Sequence, residues 1–387
     1  MRVGVVCPYS LTLPGGVQGQ VLGLASALRS LGVEARVLGP CDGPPPDANV
    51  TPLGNSIPTA GNGSMAPIAP DLPATLRVIR ALRDEAFDVV HIHEPLVPGP
   101  TLSATIFCES PMVGTFHRSG ESRAYRITAP LSRIAAGRLA LRMAVSDQAR
   151  LTAIDVLGGE YEVVWNGIEV DQFASAVPWP GRCGHGVSTV FFVGRHEHRK
   201  GLAVLVEAMA CLGPDFRVWI AGDGPETARL RRLTAGDRRV EWLGVVSDTE
   251  KLGRMRAADV FCAPSIEGES FGVVLLEGMA AGTPVVASDL VGYATVARPG
   301  IDALMVPPGD AAALAHAITR AAAGGPAIDA MITSARQRAE QFSMRRLAAH
   351  YLEGYEAIAA PRRSPPPVRR LLRMRSRRSP LHASPPG

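Results

Sequence analysis

Three cations, Arg195, Arg199 and Lys200, fall within the seven residues "RHEHRKG". They follow "TVFFVG", an apolar run that reads as a strand. The chain has only two lysines, and one of them stands here. The bland reading is a solvated loop. The position just past a buried strand and before a helix suits an anion instead, because clustered cations can neutralise a diphosphate leaving group. Further on, "EGESFGVVLLE" carries Glu269 and Glu277 eight residues apart. If one helix spans them, that spacing sets them about two turns apart on one side. The intervening "SFG" reads better as the opening of the helix, with amides at its N-terminus facing phosphate. Carboxylates hold hydroxyl groups. Diphosphate and hydroxyls together describe a sugar nucleotide.

Other loops carry chemistry at matching places. "PYSLTLPGGVQGQV" puts Gly15 and Gly16 between a strand and a helix. Paired glycines let the backbone approach a phosphate, although an ordinary tight turn reads the same way. The loop lacks the G-x-G-x-x-G pattern of dinucleotide binding, which disfavours NAD. In "HIHEP", His91 and His93 have strand spacing that sends both side chains to one face. They could hold a metal, but no third ligand is visible nearby, and strand-end histidines lining a cleft are the simpler reading. "TFHRS" sets His117 just after another strand, where a substrate would sit.

Short apolar runs alternate with helical patterns throughout. "RVGVVC", "EARVLG", "FDVVHIH", "MVGTFH", "RMAVS" and "EYEVVWNG" read as strands, with helices between them, among them one near Pro73–Glu85. This alternation predicts a parallel sheet covered on both faces. The pattern pauses across the Pro/Gly-rich "DQFASAVPWPGRCGHGVS" and then restarts with "TVFFVG", "FRVWIAG", "VEWLG", "DVFCAPS", "PVVAS" and "ALMVP". The expected architecture is α/β: two Rossmann-like doubly wound domains with a cleft between them. The expected divisions are a domain over 1–170, a linker over 171–188 and a second domain over 189–343. A final helix over 344–360 is expected to cross back to the first domain, and an Arg/Pro-rich tail over 361–387 is too polar to form a core. Ligands in such sheets bind at the carboxyl ends of the strands, where all these motifs lie.

Bulk composition sets limits. The 387 residues exceed one typical core. The net charge of +4 misleads, because the tail holds eight arginines and no acid. Without it, 32 basic residues face 36 acidic ones, a net of −4 over residues 1–360. A nucleic-acid-binding protein, the non-enzyme alternative, would show a basic face on the folded part. Aromatic residues make up 5%, too few for a stacking platform. Six scattered cysteines without C-x-x-C fit free thiols in a reducing cytoplasm. The N-terminus does not read as a signal peptide, and no apolar run is long enough to span a bilayer.

The order and spacing of these motifs resemble the retaining glycosyltransferases of family 4, which have the GT-B fold. The matching elements are the "GG" loop, "HIH", "TFH", "WNGIE", "GRHEHRKG", "AGDGPE" and the E-x7-E pair. They cover nearly all of residues 1–358. The resemblance is closer to the branch that mannosylates phosphatidylinositol at the inner leaflet, through "CPYSLTLPGGVQ", "GTFHRS" and "NGIEVDQFASA".

The resemblance implies roles. Gly16 would approach the donor phosphates, and Arg195 and Lys200 would hold the diphosphate. Glu269 would face the transferred sugar with the Phe271 and Gly272 amides near it, and Glu277 would bind ribose. His117 would stand near the reacting sugar hydroxyl. Tyr9, Gln18 and Asn62 would hold an inositol-like acceptor. The leaving diphosphate would take the acceptor proton on the same face, with retention, so no protein nucleophile and no essential metal or cofactor is expected. The implied activity is transfer from GDP-mannose to a phosphatidylinositol-type lipid, by a monomer peripheral to the cytoplasmic face of the membrane. UDP-glucose or UDP-N-acetylglucosamine with another acceptor is the enzymatic alternative. Low lysine with abundant Arg and Ala fits a GC-rich genome, and the resemblance makes it actinobacterial. The departures gather in the acceptor half: Thr12 and Leu13 replace an acid, Gly61 replaces a tyrosine, "SMAPIAP" lacks an arginine, and Arg123 stands beside the place of a lysine.

Arg77, Arg80 and Arg83 lie beside Leu76, Ile79 and Leu82 in "DLPATLRVIRALRDEAFD". Such a helix can meet an anionic membrane surface or simply pack on its sheet. The tail would add attraction to an acidic leaflet; a nonspecific solvated tail or a nucleic-acid contact is its alternative.

Overall fold

The computed structural model describes residues 1–61, 64–118, 129–180, 186–269 and 271–359. The expectations for Asn62, Arg123, Cys183 and the tail fall outside these residues.

The first sheet contains β1 (Arg2–Val6), β2 (Glu34–Gly39), β3 (Val50–Pro52), β6 (Val89–His93), β7 (Met112–Phe116), β8 (Leu141–Ala144) and β9 (Glu162–Val163). Between β3 and β6, β4 (Ile57–Gly61) and β5 (Ser64–Ile68) form a separate antiparallel pair. The large sheet is parallel, in the order β3-β2-β1-β6-β7-β8-β9. Its strands are apolar on both sides because helices cover both sides. Val3, Val5, Val37 and Val89 enter one core, while Val6, Leu38, Val90 and Ile92 enter the other.

The second sheet contains β10 (Ser188–Val193), β11 (Phe216–Ala221), β12 (Val240–Gly244), β13 (Val260–Ala263), β14 (Val285–Ser288) and β15 (Leu304–Val306). Its order is β12-β11-β10-β13-β14-β15, again parallel. Phe191, Trp219 and Phe261 pack on one face, and Val190, Val218 and Cys262 on the other. In each sheet the strand order reverses once, between β1 and β6 and between β10 and β13. Those are the switch points at which α/β sheets open a crevice beyond their carboxyl ends.

Two expectations need correction. The stretch "EYEVVWNG" forms a strand only over Glu162–Val163. The linker over 171–188 begins inside structure: Val170–Ala174 is a short helix, and Phe173 is buried in the core of the second domain. A Pro/Gly-rich neighbourhood hid one apolar anchor.

The helix Met344–Ala359 packs against the helix Gly16–Ser30 and places Leu347, Tyr351 and Tyr355 in the first domain's core. Where the chain returns, the Ile168 amide donates to the Phe342 carbonyl at 3.0 Å, and the Met344 amide donates to the Ile168 carbonyl at 2.8 Å. The outgoing and returning strands of chain are thus tied to each other.

Candidate active site

The loop after β1 leads into the helix Gly16–Ser30. Gly15 and Gly16 differ in what requires them. A Cβ on Gly15 would collide with the Gln18 side-chain amide, whereas one on Gly16 would meet nothing. Packing therefore does not demand a glycine at 16, and the space beside it is open to a ligand. Gln18 is buried, its amide 3.4 Å from the Ser10 carbonyl. Tyr9 bridges Ile68 of β5, so the β4–β5 pair leans on the same loop. Thr12 turns back to accept the Asp42 amide at 3.0 Å, and Leu13 is exposed.

The ends of β6 and β7 carry three histidines. His91 and His93 do share a face, with rings stacked at 4.4 Å, and both are buried. His91 Nδ1 lies 2.6 Å from the Tyr355 hydroxyl and its Nε2 lies 2.7 Å from Thr115 Oγ1. Thr115 Oγ1 also meets the Tyr351 hydroxyl at 3.0 Å. The crossing helix therefore reaches the strand ends through two tyrosines. His93 Nδ1 lies 2.8 Å from His117 Nε2, and the His117 amide donates to Glu94 Oε1 at 2.6 Å. Glu94 is buried with φ at 48°, an uncommon backbone state for a non-glycine residue. Burial lowers the pKa of His91 to about 3 and that of His117 to about 4, and pushes His93 well below the ordinary value. All three are neutral at pH 7. Among the described residues no group of three or more His, Cys, Asp or Glu side chains could hold a metal.

The loops after β10 and β13 meet at the second switch point. Lys200 Nζ lies 2.5 Å from Glu269 Oε1, and Arg199 Nη1 lies 3.5 Å from the same oxygen. Glu197 joins the other cations, 3.0 Å from Arg195 and 2.9 Å from Arg199. Three cations thus surround two carboxylates, leaving one net positive charge. Gly201, in the left-handed region at φ 67°, could carry no side chain, because its Cβ would strike the Pro264 carbonyl. That close approach brings the two loops together. The Tyr293 hydroxyl donates to Ser265 Oγ at 3.0 Å, and Ser265 Oγ donates to Glu269 at 3.2 Å, so Glu269 is braced from both sides.

Glu269 and Glu277 do not share a helix. Gly272, at φ 96°, caps the helix Val273–Ala281, leaving Glu269 in the loop before it. Phe271 is a core residue packed edge-on against Phe342 at 5.7 Å, so only its backbone is free for a ligand. Glu277 Oε1 lies 2.7 Å from Lys251 Nζ. Both lysines of the chain therefore pair with the two glutamates of the E-x7-E pattern.

Arg77, Arg80 and Arg83 lie exposed on the helix Leu72–Glu85, but not all are free. Arg77 donates to the Leu53 carbonyl at 3.1 Å and Arg80 pairs with Asp84 at 3.2 Å. Leu72 and Leu76 are exposed to 68% and 57%.

Sequence reasoning missed Glu94, Glu197 and Lys251. Only Glu197 had a visible signal, as the acid inside the cation loop. Gln20 was also missed: its amide accepts from Gly167 N and donates to Gly167 O, both at 2.8 Å. The glycine of "WNGIE" lies under Met344, where a Cβ would come within 2.9 Å of its Cα.

Two doubly wound domains, the second with a cluster of cations and carboxylates at its switch point, define a glycosyltransferase of the GT-B type. The solved structures agree on the fold. The Anabaena protein HepE, in complex with UDP and glucose, superposes with a TM-score of 0.72 at 19% identity, over 92% of this chain and 100% of that one. Sucrose-phosphate synthase from Thermosynechococcus elongatus gives 0.71 at 22% identity, over 93% and 99%. Residues 14–172 match the model for Glycosyltransferase Family 4, and residues 187–323 match Glycosyl transferases group 1. The chain belongs to glycosyltransferase family 4. It is 39% identical over 370 residues to a phosphatidyl-myo-inositol mannosyltransferase of Mycobacterium leprae, covering 93% of this chain and 97% of that protein. A protein of the same name from Propionibacterium freudenreichii is 34% identical over 310 residues, 76% of this chain and 79% of its own.

Proposed function

We propose that this glycosyltransferase moves an α-mannosyl group from GDP-mannose to the inositol of a phosphatidylinositol-type lipid, with retention, at the cytoplasmic face of the membrane. The observation that carries the reading is the near full-length identity to the M. leprae mannosyltransferase. The Arg195, Arg199 and Lys200 cluster supports a diphosphate site that works without an essential metal, because fixed cations can carry the charge of the leaving group. Gly16 supports close approach of the donor phosphates. Glu269 would take hydroxyls of the transferred sugar and Glu277 those of the ribose, each carboxylate held in place by one lysine. Tyr9 and Gln18 would line the acceptor side; Tyr9 bridges the β4–β5 pair. His117 would stand by the reacting sugar, and the diphosphate oxygen would accept the proton of the acceptor hydroxyl as the glycosidic bond forms.

Among the described residues no helix is long and apolar enough to cross a membrane. Contact with an anionic surface would come from Leu72 and Leu76, with Arg77, Arg80 and Arg83 around them. The protein would work as a monomer, since nucleotide sugar and lipid meet within one chain. A transfer assay with GDP-mannose or UDP-sugars, and vesicles with or without phosphatidylinositol, tests the reading. One hexose added to phosphatidylinositol from GDP-mannose alone, undiminished by EDTA, is expected. Transfer only from a UDP-sugar, or only to another acceptor, would overturn it.

A further inference from the structure

Tyr293 and Ser265 have no role in the function proposed above, yet their hydroxyls end on one oxygen of Glu269. We propose that Tyr293 and Ser265 are positioning residues, a two-hydroxyl relay that holds one oxygen of the Glu269 carboxylate inside the protein and presents the other to the transferred sugar, resting on the reading that Glu269 takes a hydroxyl of that sugar.

The direction of the relay is fixed by its ends. Glu269, as a carboxylate paired with Lys200 and Arg199, only accepts. Ser265 Oγ, 3.2 Å from Glu269 Oε1, has a single proton and gives it to that oxygen. The Tyr293 hydroxyl, 3.0 Å from Ser265 Oγ, must then donate in its turn. It keeps its proton to do so, because burial, and then the nearby charge of Glu269, raise the pKa of the phenol. Tyr293 is fully buried, and its hydroxyl has no other partner among the described residues. A buried hydroxyl cannot turn to water instead, so the relay has one arrangement.

The donors around Glu269 all fall on the same atom. Oε1 takes Ser265 Oγ, Lys200 Nζ at 2.5 Å and, more distantly, Arg199 Nη1 at 3.5 Å. Oε2 takes no hydrogen bond among the described residues, and it is not sealed from solvent. The side chain is 11% exposed, so that small opening belongs to the oxygen with lone pairs to spare. The Tyr293 ring has a separate task. A Cβ on Gly272 would fall 2.7 Å from it, so the ring packs against the end of the loop that carries Glu269. Ring and hydroxyl can therefore be tested apart. A carboxylate free to turn would offer the sugar a displaced oxygen, and small misplacements cost rate.

The test compares Tyr293→Phe, which keeps the ring, with Ser265→Ala, which removes the last link, and with the double variant. Turnover is measured with GDP-mannose and the binding of GDP by calorimetry, or with the UDP-sugar and UDP if those support transfer. kcat should fall about 3- to 10-fold in Tyr293→Phe and about 10- to 100-fold in Ser265→Ala. The Kd of the nucleoside diphosphate, which has no sugar to meet Glu269, should stay within about twofold. The double variant should match Ser265→Ala within about twofold, because the tyrosine acts only through the serine. Full turnover in either single variant, additive losses in the double, or a diphosphate Kd that weakens in step with the rate would overturn the relay. Glu269→Ala tells the two failures apart. If it loses turnover while the hydroxyl variants keep theirs, only the relay falls. If it keeps full turnover, the sugar role of Glu269 falls and the relay with it.

Discussion

Lys200 and Glu269, 69 residues apart in the chain, meet at 2.5 Å. Their contact joins the loops after β10 and β13, the strands between which the order of the second sheet reverses. Lys251 and Glu277 repeat the arrangement at 2.7 Å. A chain that otherwise uses arginine places its two lysines against the two carboxylates assigned to the donor. An ammonium is a compact point charge with three rotatable donors, so it can hold a carboxylate and still turn toward a phosphate.

Lys200→Ala should therefore cut kcat by about 10²-fold or more, because the leaving diphosphate loses its neighbouring charge. Lys200→Arg should recover only part of this. Steady-state kinetics at saturating donor decide the matter: turnover within a few-fold of wild type for the alanine variant would remove Lys200 from the mechanism.

Gly16 and Gly201 should separate function from folding. Gly16→Ala adds a methyl group into open space at a helix start, and should leave the Tm within about 2 °C. Its KM for nucleotide sugar should rise at least about tenfold if the phosphates approach that backbone. Gly201→Ala strains a left-handed residue against the Pro264 carbonyl and should cost more than about 1 kcal/mol. Calorimetry and donor titration on both variants test the pair, and an unchanged KM for Gly16→Ala would release Gly16 from donor binding.

Stability should fall in mild acid. His91 is held neutral, with a folded pKa near 3 against an ordinary 6.5. Below pH 6.5 the unfolded chain takes up a proton that the folded chain refuses, so stability is full above 6.5 and is lost as pH falls toward the folded value. The slope is about 1.4 kcal/mol per pH unit for this one group, or about 2 kcal/mol between pH 6.5 and 5. His93 and His117 act in the same direction. Urea unfolding at pH 7.5 and 5.0 measures the loss. Equal free energies would mean that the histidines are already charged in the fold.

The basic tail and the helix Leu72–Glu85 should both draw the enzyme to acidic lipid. Each basic residue near an anionic leaflet contributes about 1 kcal/mol. A chain ending at Ala360 should sediment less with phosphatidylglycerol vesicles than the full chain, and the difference should shrink in high salt. Leu72→Ser with Leu76→Ser should weaken binding further at any salt. Equal sedimentation of full and truncated chains would leave the tail without this task.

Legibility in the sequence followed physical range. Strand runs such as "TVFFVG" and "PVVAS" were readable because strands buried on both faces are apolar over their whole length. The loops were readable as sites because unlike residues gather there. Glu197 was visible as an acid among cations, but which arginines it braces depends on how side chains turn, and Lys251 answering Glu277 left no signal because it depends on which elements lie adjacent. The tyrosines that hold His91 and Thr115 stand 264 and 236 residues away from them. The β4–β5 pair was missed because it is short and proline-bearing, and it forms a two-stranded sheet apart from the large one. Phe173 was missed because one aromatic within a Pro/Gly-rich stretch has no period to announce it.

The return of the helix Met344–Ala359 to the first domain has a practical consequence for anyone cutting the gene. A fragment ending near residue 170 would lack Leu347, Tyr351 and Tyr355 and expose the groove that they fill. A fragment beginning near residue 186 would carry that helix with nothing to receive it. Neither half is a cassette. A circular permutant that fuses the final helix ahead of Met1, or co-expression of the helix as a separate peptide, is the way to obtain the first domain alone.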